Sequence, residues 1–345
     1  MKFGILGSGS WGTAIAKILT DNGNKIQWWN RSEKAIEQFK QKKHNPQYLT
    51  TARFDVNKLQ LTTNAQDVIK HSDIIIIAIP SAYASEVLLA MPKNIFENKK
   101  IISAVKGILP NENILLNQFL LQNFNVKLEN YFALLGPCHA EEVAAEKLSY
   151  LTFAGIDEAF TENMLQYFKT DYINTIANKD IIGVQYAAVL KNIYAVAAGM
   201  AHGLNYGDNF LSVLIANSAD EMAGFLRKAG IVNAEVGYME HGINANNKLH
   251  ANYAASVYLG DLLVTCYSLH SRNRSFGNMI GKGYSVANAQ LEMCMVAEGY
   301  NAAKCMFLIN QTIQTDMPIA KTVYNILWNS MNVKNGFKEI EKGLV

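Results

Sequence analysis

The chain has 345 residues, half of them hydrophobic and 17% charged, and a formal net charge of +2. A length beyond what one hydrophobic core usually supports predicts two domains. Because basic and acidic residues nearly balance, the composition argues against a nucleic-acid-binding protein and against electrostatic attachment to an anionic membrane.

The N-terminus enters directly into a short apolar run followed by glycines, unlike a signal peptide, so we expect a cytoplasmic protein. The four scattered cysteines, Cys138, Cys266, Cys294 and Cys305, are therefore expected to be reduced thiols. Since no second close ligand pair accompanies Cys138-His139, no metal site is predicted.

Short apolar runs alternate with polar, helix-like segments through the first half of the chain. Strands are predicted at 2–6, 26–29, 74–79, 101–105, 131–135 and 150–154, and helices at 13–21, 33–42 and 84–91. Several of these strands lack a polar face, as strands buried on both sides of a parallel sheet do. The pattern predicts an α/β fold, with an N-terminal Rossmann domain over residues 1–180 and a doubly wound, mostly parallel sheet.

Long helical patterns replace the strands after about residue 180, first at 181–201 and then at 209–229. They predict an all-helical C-terminal domain over residues 181–345 that carries the substrate and catalytic residues. In the second pattern, Asp220, Glu221 and Arg227 are interpreted as a solvated face of an amphipathic helix.

The segment Gly7-Ser8-Gly9-Ser10-Trp11-Gly12 follows the first predicted strand and opens a helix. It has the G-x-G-x-x-G spacing in the strand-turn-helix setting that dinucleotide binding requires. The amides and partial positive charge of the helix N-terminus suit a pyrophosphate. We therefore predict a dinucleotide site here, the alternative being a glycine-rich turn without a ligand.

The second predicted strand ends Trp29-Asn30-Arg31, with no acidic residue before Glu33. NAD-binding proteins usually place an acid at this point to hold the adenosine ribose, whereas a nearby arginine accommodates the 2′-phosphate of NADP. The sequence therefore favours NADP over NAD, unless Arg31 simply faces solvent.

The helix predicted at 181–201 is apolar nearly all round and carries one formal charge, Lys191. A lysine on a buried helix loses hydration, its pKa falls, and it becomes suited to proton transfer near neutral pH. Lys191 is thus the leading catalytic candidate. A membrane span is disfavoured by Gln185, Lys191 and Asn192 near the middle of the run, while a structural lysine that reaches solvent remains an alternative.

Further polar positions stand where ligands bind in α/β proteins or where a phosphate could be held. Lys106 and the run 136–141 follow predicted strands, at the carboxyl edge of the sheet. The run 260–274 combines an acid, hydroxyls, two arginines and an asparagine, a set suited to a small phosphorylated substrate. Its alternative interpretation is a polar helix end with solvated charges.

Several motifs together resemble a known family, the NAD(P)-dependent glycerol-3-phosphate dehydrogenases, over about residues 1–310. They are GSGSWGTA, IPS, KG at 106–107, LGPCHAEEV, VLKNIYAVAAGMAHGLNYGDN, GDLLVTCYS with SRNRSFG, and VAEG at 296–299. The resemblance implies interconversion of dihydroxyacetone phosphate and sn-glycerol 3-phosphate with NADPH or NADH, a supply of glycerol 3-phosphate for phospholipid synthesis, and a homodimer.

The resemblance also implies roles for individual residues. The implied catalytic residues are Lys191, its acidic partner Asp261, and Thr265. The implied cofactor-binding residues are Gly7, Gly9, Ser10, Trp11, Gly12, Arg31, Lys106, Ala140, Arg272, Val296 and Glu298. The implied substrate-binding residues are Lys106, Gly136, Cys138, Lys191, Asp261, Ser271, Arg272 and Asn273, with the last three holding the phosphate.

Two features depart from the family pattern. Cys138-His139 stands where bacterial members often have Ser-Phe, and residues 233–258 form a longer stretch than many members have. Two other functions are considered beside the resemblance. One is a hydroxy-acid dehydrogenase of similar architecture, and the other is a non-enzymatic NADPH sensor, against which Lys191 in its apolar helix argues.

Overall fold

The computed structural model describes residues 1–231, 256–293 and 295–345, together with the backbone of 242–243 and 249–250. These residues form two compact units, the first comprising 1–105 and 114–181 and the second 106–113 and 182–345. The sequence predicted a single division at residue 180, whereas the structure places Lys106–Asn113 in the second unit. There the Lys106 carbonyl accepts a hydrogen bond from Asn192 Nδ2 at 2.8 Å.

An eight-stranded sheet forms the centre of the first unit. Its strands are β1 (Phe3–Leu6), β2 (Ile26–Trp29), β3 (Leu59–Thr62), β4 (Ile74–Ile77), β5 (Lys100–Ser103), β6 (Tyr131–Leu135), β7 (Ser149–Ala154) and β8 (Ile173–Asn178). They lie in the order β3-β2-β1-β4-β5-β6-β7-β8, and each neighbouring pair is parallel except β6 with β7. The order 3-2-1-4-5-6 is that of a Rossmann sheet, which confirms the predicted fold class.

Seven α-helices accompany this sheet in the described part of the first unit. They are α1 (Ser10–Asp21), α2 (Glu33–Lys42), α3 (Ala65–Lys70), α4 (Ser81–Leu89), α5 (Leu116–Phe124), α6 (Ala140–Ala144) and α7 (Glu158–Phe168). The central strands β1 and β4 are buried along their whole length. Continuous apolar runs such as these are what two helical layers around a parallel sheet require.

The two strands at the edges of the sheet, β3 and β8, were not predicted. In β3 (LQLT) no residue is fully buried, and in β8 (INTIAN) only Ile173 is. An edge strand is covered less completely than a central one, so it needs fewer apolar residues and gives a weaker periodic signal.

The second unit is mainly helical. Its helices are α8 (Ile181–Gly203), which begins at the last residue of the first unit, α9 (Asp208–Lys228), α10 (Asp261–Tyr267), α11 (Arg272–Gly281), α12 (Val286–Glu292), α13 (Glu298–Ile313), α14 (Pro318–Trp328) and α15 (Val333–Gly343). A π-helical turn at Ser256–Gly260 precedes α10, and two-residue strands β9 (Gly242–Ile243) and β10 (Leu249–His250) pair antiparallel. This short pairing differs from the predicted all-helical domain. Cys294 and most of the segment 233–258 lie outside the described residues.

Glycines let α8, α11 and α13 approach one another at backbone distance. A Cβ atom added to Gly199 of α8 would lie 2.0 Å from the Arg274 carbonyl oxygen, and one added to Gly277 of α11 would lie 2.0 Å from that of Val196. On α13, a Cβ atom at Gly299 would lie 2.6 Å from a carbonyl oxygen of α8. The helices therefore pack more closely than any larger residue would allow.

The helix α8 is long and apolar enough to cross a membrane by length and composition alone. However, 89% of its apolar 18-residue stretch is buried within the protein. Gly199 and Gly203 of this helix pack against the backbone of α11. Both observations are typical of a core helix, and they argue against the membrane span considered from the sequence.

The prediction that Glu221 belongs to a solvated face was wrong, whereas Asp220 and Arg227 are exposed as expected. The Glu221 carboxylate is buried and accepts hydrogen bonds from the first amides of α14, at 2.8 and 2.9 Å, and from the Tyr194 hydroxyl at 3.1 Å. Burial raises the pKa of Glu221 to about 7, although these three donors favour the charged form. The carboxylate thus caps the N-terminus of α14.

Candidate functional site

The three glycines of the segment 7–12, called the glycine loop below, are required for different reasons. Gly7 has φ +122°, and a Cβ atom there would lie 2.4 Å from the Ala78 carbonyl oxygen. A Cβ atom at Gly12 would lie 2.2 Å from the Gly7 carbonyl oxygen, whereas one at Gly9 would meet no protein atom within 4 Å. Gly7 and Gly12 therefore allow the turn and the helix packing, and Gly9 leaves its surface open to a ligand.

The helix α1 begins at Ser10 with Gly9 as its N-cap, so no side chain of the cap residue bonds to its first amides. A helix N-terminus that follows a glycine turn suits the phosphates of a dinucleotide. The two side chains predicted to contact the cofactor here differ in exposure, Ser10 being buried and Trp11 half-buried.

The end of β2 lies beside the glycine loop because β1 and β2 pair in register. Trp28 Nε1 donates to the Gly7 carbonyl at 2.9 Å, and Asn30 is buried with its amide bonded to the Thr62 carbonyl. Arg31 follows as an exposed residue. Its role toward a 2′-phosphate stays a prediction.

Three further predicted residues follow β6 at the carboxyl end of the strand. Gly136 has φ +124°, and a Cβ atom there would lie 2.6 Å from the Tyr150 carbonyl oxygen. Cys138 is a buried thiol, and Ala140 is the buried first residue of α6. Gly136 is therefore required by the backbone itself, whatever its part in binding.

A buried ion pair lies in the second unit. Lys191 Nζ of α8 is 2.5 Å from Asp261 Oδ2, at the first residue of α10, and the two residues are only 3% and 1% exposed. Burial lowers the pKa of Lys191 to about 8, with Asp261 opposing this shift and the Lys106 charge contributing to it. The lysine can therefore gain and lose a proton near neutral pH, as the sequence predicted.

A chain of hydrogen bonds adjoins this pair. Asn192 Nδ2 donates to the Lys106 carbonyl at 2.8 Å, and Asn192 Oδ1 accepts from Asn273 Nδ2 at 2.8 Å. Asn273 Oδ1 in turn accepts from the Gly299 amide at 2.9 Å. The chain thus joins the 106–113 segment to α8, α11 and α13, and brings three predicted parts of the site together.

Asn192 was not predicted as a site residue. It had been considered only as a polar group that is unfavourable in a membrane, although its position next to Lys191 on an apolar helix was a usable signal. A buried amide side chain on such a helix needs partners for its hydrogen-bonding groups, and here those partners are Lys106 and Asn273.

The remaining predicted residues of the second unit are placed around helix ends. Thr265 Oγ1 donates to the Asp261 carbonyl at 2.5 Å, one turn earlier on α10. Ser271 is the N-cap of α11, its hydroxyl accepting from the Arg274 amide, and half-buried Arg272 is the first residue of that helix. Val296 and Glu298 are half-buried at the start of α13.

A Rossmann sheet with an open glycine loop, and a helical unit with a buried lysine–carboxylate pair, define a dinucleotide-dependent dehydrogenase as the class of protein. Two family models match the chain. The NAD-dependent glycerol-3-phosphate dehydrogenase N-terminus matches residues 2–161, and the corresponding C-terminus matches residues 180–338.

Individual relatives agree with the family models. The chain is 32% identical over 335 residues to a glycerol-3-phosphate dehydrogenase [NAD(P)+] of Bacillus cytotoxicus, covering 97% of this chain and 93% of that protein. It is 30% identical over 340 residues to the enzyme of that name from Enterococcus faecalis, covering 98% and 95%. A crystal structure of glycerol-3-phosphate dehydrogenase from Coxiella burnetii superposes with a TM-score of 0.85 at 25% identity, covering 98% of both chains. The chain belongs to the NAD-dependent glycerol-3-phosphate dehydrogenase family.

Proposed function

We propose that the Lys191–Asp261 pair performs the proton transfer in the reaction of this family. The chain is an NAD(P)-dependent glycerol-3-phosphate dehydrogenase, which interconverts dihydroxyacetone phosphate and sn-glycerol 3-phosphate. Family membership favours this activity over the hydroxy-acid dehydrogenase and the NADPH sensor considered from the sequence. The observation that carries the mechanism is the buried contact of 2.5 Å between Lys191 Nζ and Asp261 Oδ2.

The glycine loop fits a dinucleotide, because a Cβ atom at Gly9 meets no protein atom while Gly7 and Gly12 hold the turn and the helix in contact. In our proposal the loop binds the pyrophosphate and Arg31 binds the adenosine end. NADPH or NADH, when bound, supplies the hydride for reduction of the ketone.

Lys191 donates a proton to the oxygen of the substrate carbonyl during reduction and accepts the hydroxyl proton in the reverse direction. A pKa of about 8 makes both steps accessible near neutral pH, since the acid and the base form are both populated. Asp261 orients the ammonium group and stabilises its charged form, and Thr265 supports the first turn of α10 by bonding the Asp261 carbonyl.

The phosphate of the substrate is assigned to the start of α11. A guanidinium such as that of Arg272 can place two parallel hydrogen bonds on phosphate oxygens, and the N-terminus of the helix adds a partial positive charge. Asn273 bonds to Asn192, next to Lys191, so a phosphate anchored here would be fixed relative to the proton donor. Lys106 contributes a further positive charge, which helps to lower the pKa of Lys191.

The finer parts of the proposal rest on single features. Arg31, in the absence of an acid at the end of β2, supports a preference for NADPH. The resemblance to the family supports a homodimer, a cytoplasmic location and a role in supplying glycerol 3-phosphate for phospholipid synthesis. Light scattering of the purified protein tests the dimer.

A steady-state assay tests the proposed function. Purified protein is given NADPH or NADH with dihydroxyacetone phosphate, with unphosphorylated dihydroxyacetone, or with a panel of small 2-keto acids. We expect turnover of dihydroxyacetone phosphate with both cofactors, weak turnover of dihydroxyacetone, and none of the 2-keto acids. Turnover of a 2-keto acid without turnover of dihydroxyacetone phosphate would contradict the proposal.

A further inference from the structure

Three consecutive peptide carbonyls of the glycine loop each accept a hydrogen bond from a buried side chain of the first unit. The pairs are Trp28 Nε1 with the Gly7 oxygen at 2.9 Å, Asn45 Nδ2 with the Ser8 oxygen at 3.0 Å, and Thr13 Oγ1 with the Gly9 oxygen at 2.9 Å. These side chains are at most 3% exposed. The loop is therefore held from its inner side by three separate donors.

These bonds determine where the amides of the loop point. In a planar trans peptide the C=O and the following N–H point in opposite directions. Holding the carbonyls of Gly7 and Ser8 toward the interior thus turns the amide hydrogens of Ser8 and Gly9 outward. Amide hydrogens on the outer surface of such a loop are the donors that an anionic ligand needs.

Asn45 differs from the other two donors because it connects the loop to a second turn. Its Oδ1 accepts from the amides of Gln47 at 3.0 Å and Tyr48 at 3.2 Å. Its Nδ2 donates to the Ser8 carbonyl and, at 2.8 Å, to Thr13 Oγ1. Two donated and two accepted bonds use the whole hydrogen-bonding capacity of an asparagine amide.

We propose that Asn45 is a positioning residue for the cofactor pyrophosphate, which holds the glycine loop in its binding conformation before the dinucleotide arrives. A loop that is already ordered loses less conformational entropy on binding, and this raises affinity without any new contact to the ligand. The inference rests on the proposed function in one respect, that the glycine loop binds the dinucleotide.

The test measures binding by the full chain. Asn45→Ala removes all four bonds and leaves the Ser8 carbonyl without this donor, so we expect the Kd for NADPH, NADH and ADP-ribose to rise roughly tenfold to hundredfold. Hydrogen exchange of the loop amides in the unliganded protein should become faster. Adenosine 2′-monophosphate, which has no pyrophosphate, should bind to the variant within about threefold of its wild-type affinity.

Asn64→Ala is the matched control. Asn64 Oδ1 accepts from the amides two and three residues later, as Asn45 Oδ1 does, but it caps α3. This variant should leave the three pyrophosphate ligands at wild-type affinity. A second variant, Asn45→Asp, keeps the acceptor of the turn and loses both donors. Because it loses both donors and places a charge at a buried position beside the loop, it should bind at least as weakly as Asn45→Ala.

The outcomes separate the proposal from its alternatives. Unchanged Kd values in Asn45→Ala, or wild-type affinity in Asn45→Asp, would overturn it, the second because the turn alone would then suffice. Equal weakening of adenosine 2′-monophosphate and ADP-ribose would also overturn it and assign the effect to the adenosine side, through Tyr48. If wild-type protein bound neither NADPH nor NADH, the proposed function itself would fail, a result distinguishable from failure of the variants alone.

Discussion

The glycine loop of the first unit is formed by backbone groups, whereas the Lys191 cluster of the second unit is formed by side chains, those of Lys191, Asn192, Asp261 and Asn273. The loop uses the backbone of six consecutive residues, and its constraints are distances that forbid a Cβ atom at Gly7 and Gly12. The cluster uses side chains far apart in the sequence, and its constraint is burial, which lowers the pKa of Lys191 to about 8. A backbone site depends on the shape of the chain, while a side-chain site depends on charge removed from water.

The largest expected effect is at Lys191. Lys191→Ala should lower turnover by about two to four orders of magnitude, the usual range for loss of a general acid, because the variant lacks the proposed proton donor. NADPH binding should persist, since the glycine loop keeps its own backbone contacts. Rapid-quench turnover and NADPH titration on the same preparation check both statements, and near-normal turnover in folded protein would exclude Lys191 from the mechanism.

The pKa of Lys191 predicts opposite pH dependences for the two directions of the reaction. Reduction requires the protonated lysine, so its rate should be constant below about pH 8 and fall up to tenfold per pH unit above it. Oxidation requires the neutral lysine and should rise through the same pH. Initial rates in both directions across pH 6–10 check the sign, and parallel profiles would contradict the assignment.

Arg272 tests the proposed binding of the substrate phosphate at the start of α11. A charge-assisted hydrogen bond contributes about 1.5–3 kcal/mol, so Arg272→Ala should raise the KM for dihydroxyacetone phosphate roughly tenfold to hundredfold. Activity on unphosphorylated dihydroxyacetone, however low, should stay nearly unchanged. Equal damage to both substrates would assign Arg272 to structure or to the cofactor.

The glycine loop offers a matched pair of variants. Gly12→Ala places a Cβ atom 2.2 Å from the Gly7 carbonyl oxygen and should cost about 1–3 kcal/mol of stability. Gly9 has φ −74°, which alanine adopts easily, and its Cβ atom meets no protein atom, so Gly9→Ala should melt as wild type yet bind NADPH more weakly. Thermal melts and NADPH titrations distinguish the two. Wild-type affinity in Gly9→Ala would show that no ligand approaches this residue closely.

The same contrast explains how much the sequence could predict. The Rossmann sheet and the glycine loop were predictable because their determinants are local: apolar runs of four to six residues and a six-residue glycine spacing. The Lys191 helix was predictable as buried, but its pairing with Asp261 came only from resemblance, since no periodicity relates α8 to α10. Glu221 was placed wrongly because it adjoins the exposed Asp220, and only the position of α14 reveals what buries it.

Arg31 gives the smallest expected effect and tests a part of the proposed dinucleotide site that depends on a side-chain charge. An acid at the end of β2 would repel a 2′-phosphate, and Asn30-Arg31 stands there instead. The wild type should therefore use NADPH at least as well as NADH.

An exposed contact to that phosphate is worth on the order of 1 to 2 kcal/mol, so Arg31→Ala should lower kcat/KM for NADPH roughly fivefold to thirtyfold and leave NADH nearly unchanged. Steady-state kinetics with both cofactors measure the difference. A strong wild-type preference for NADH, or equal loss with both cofactors, would mean that the adenosine end is recognised by other contacts.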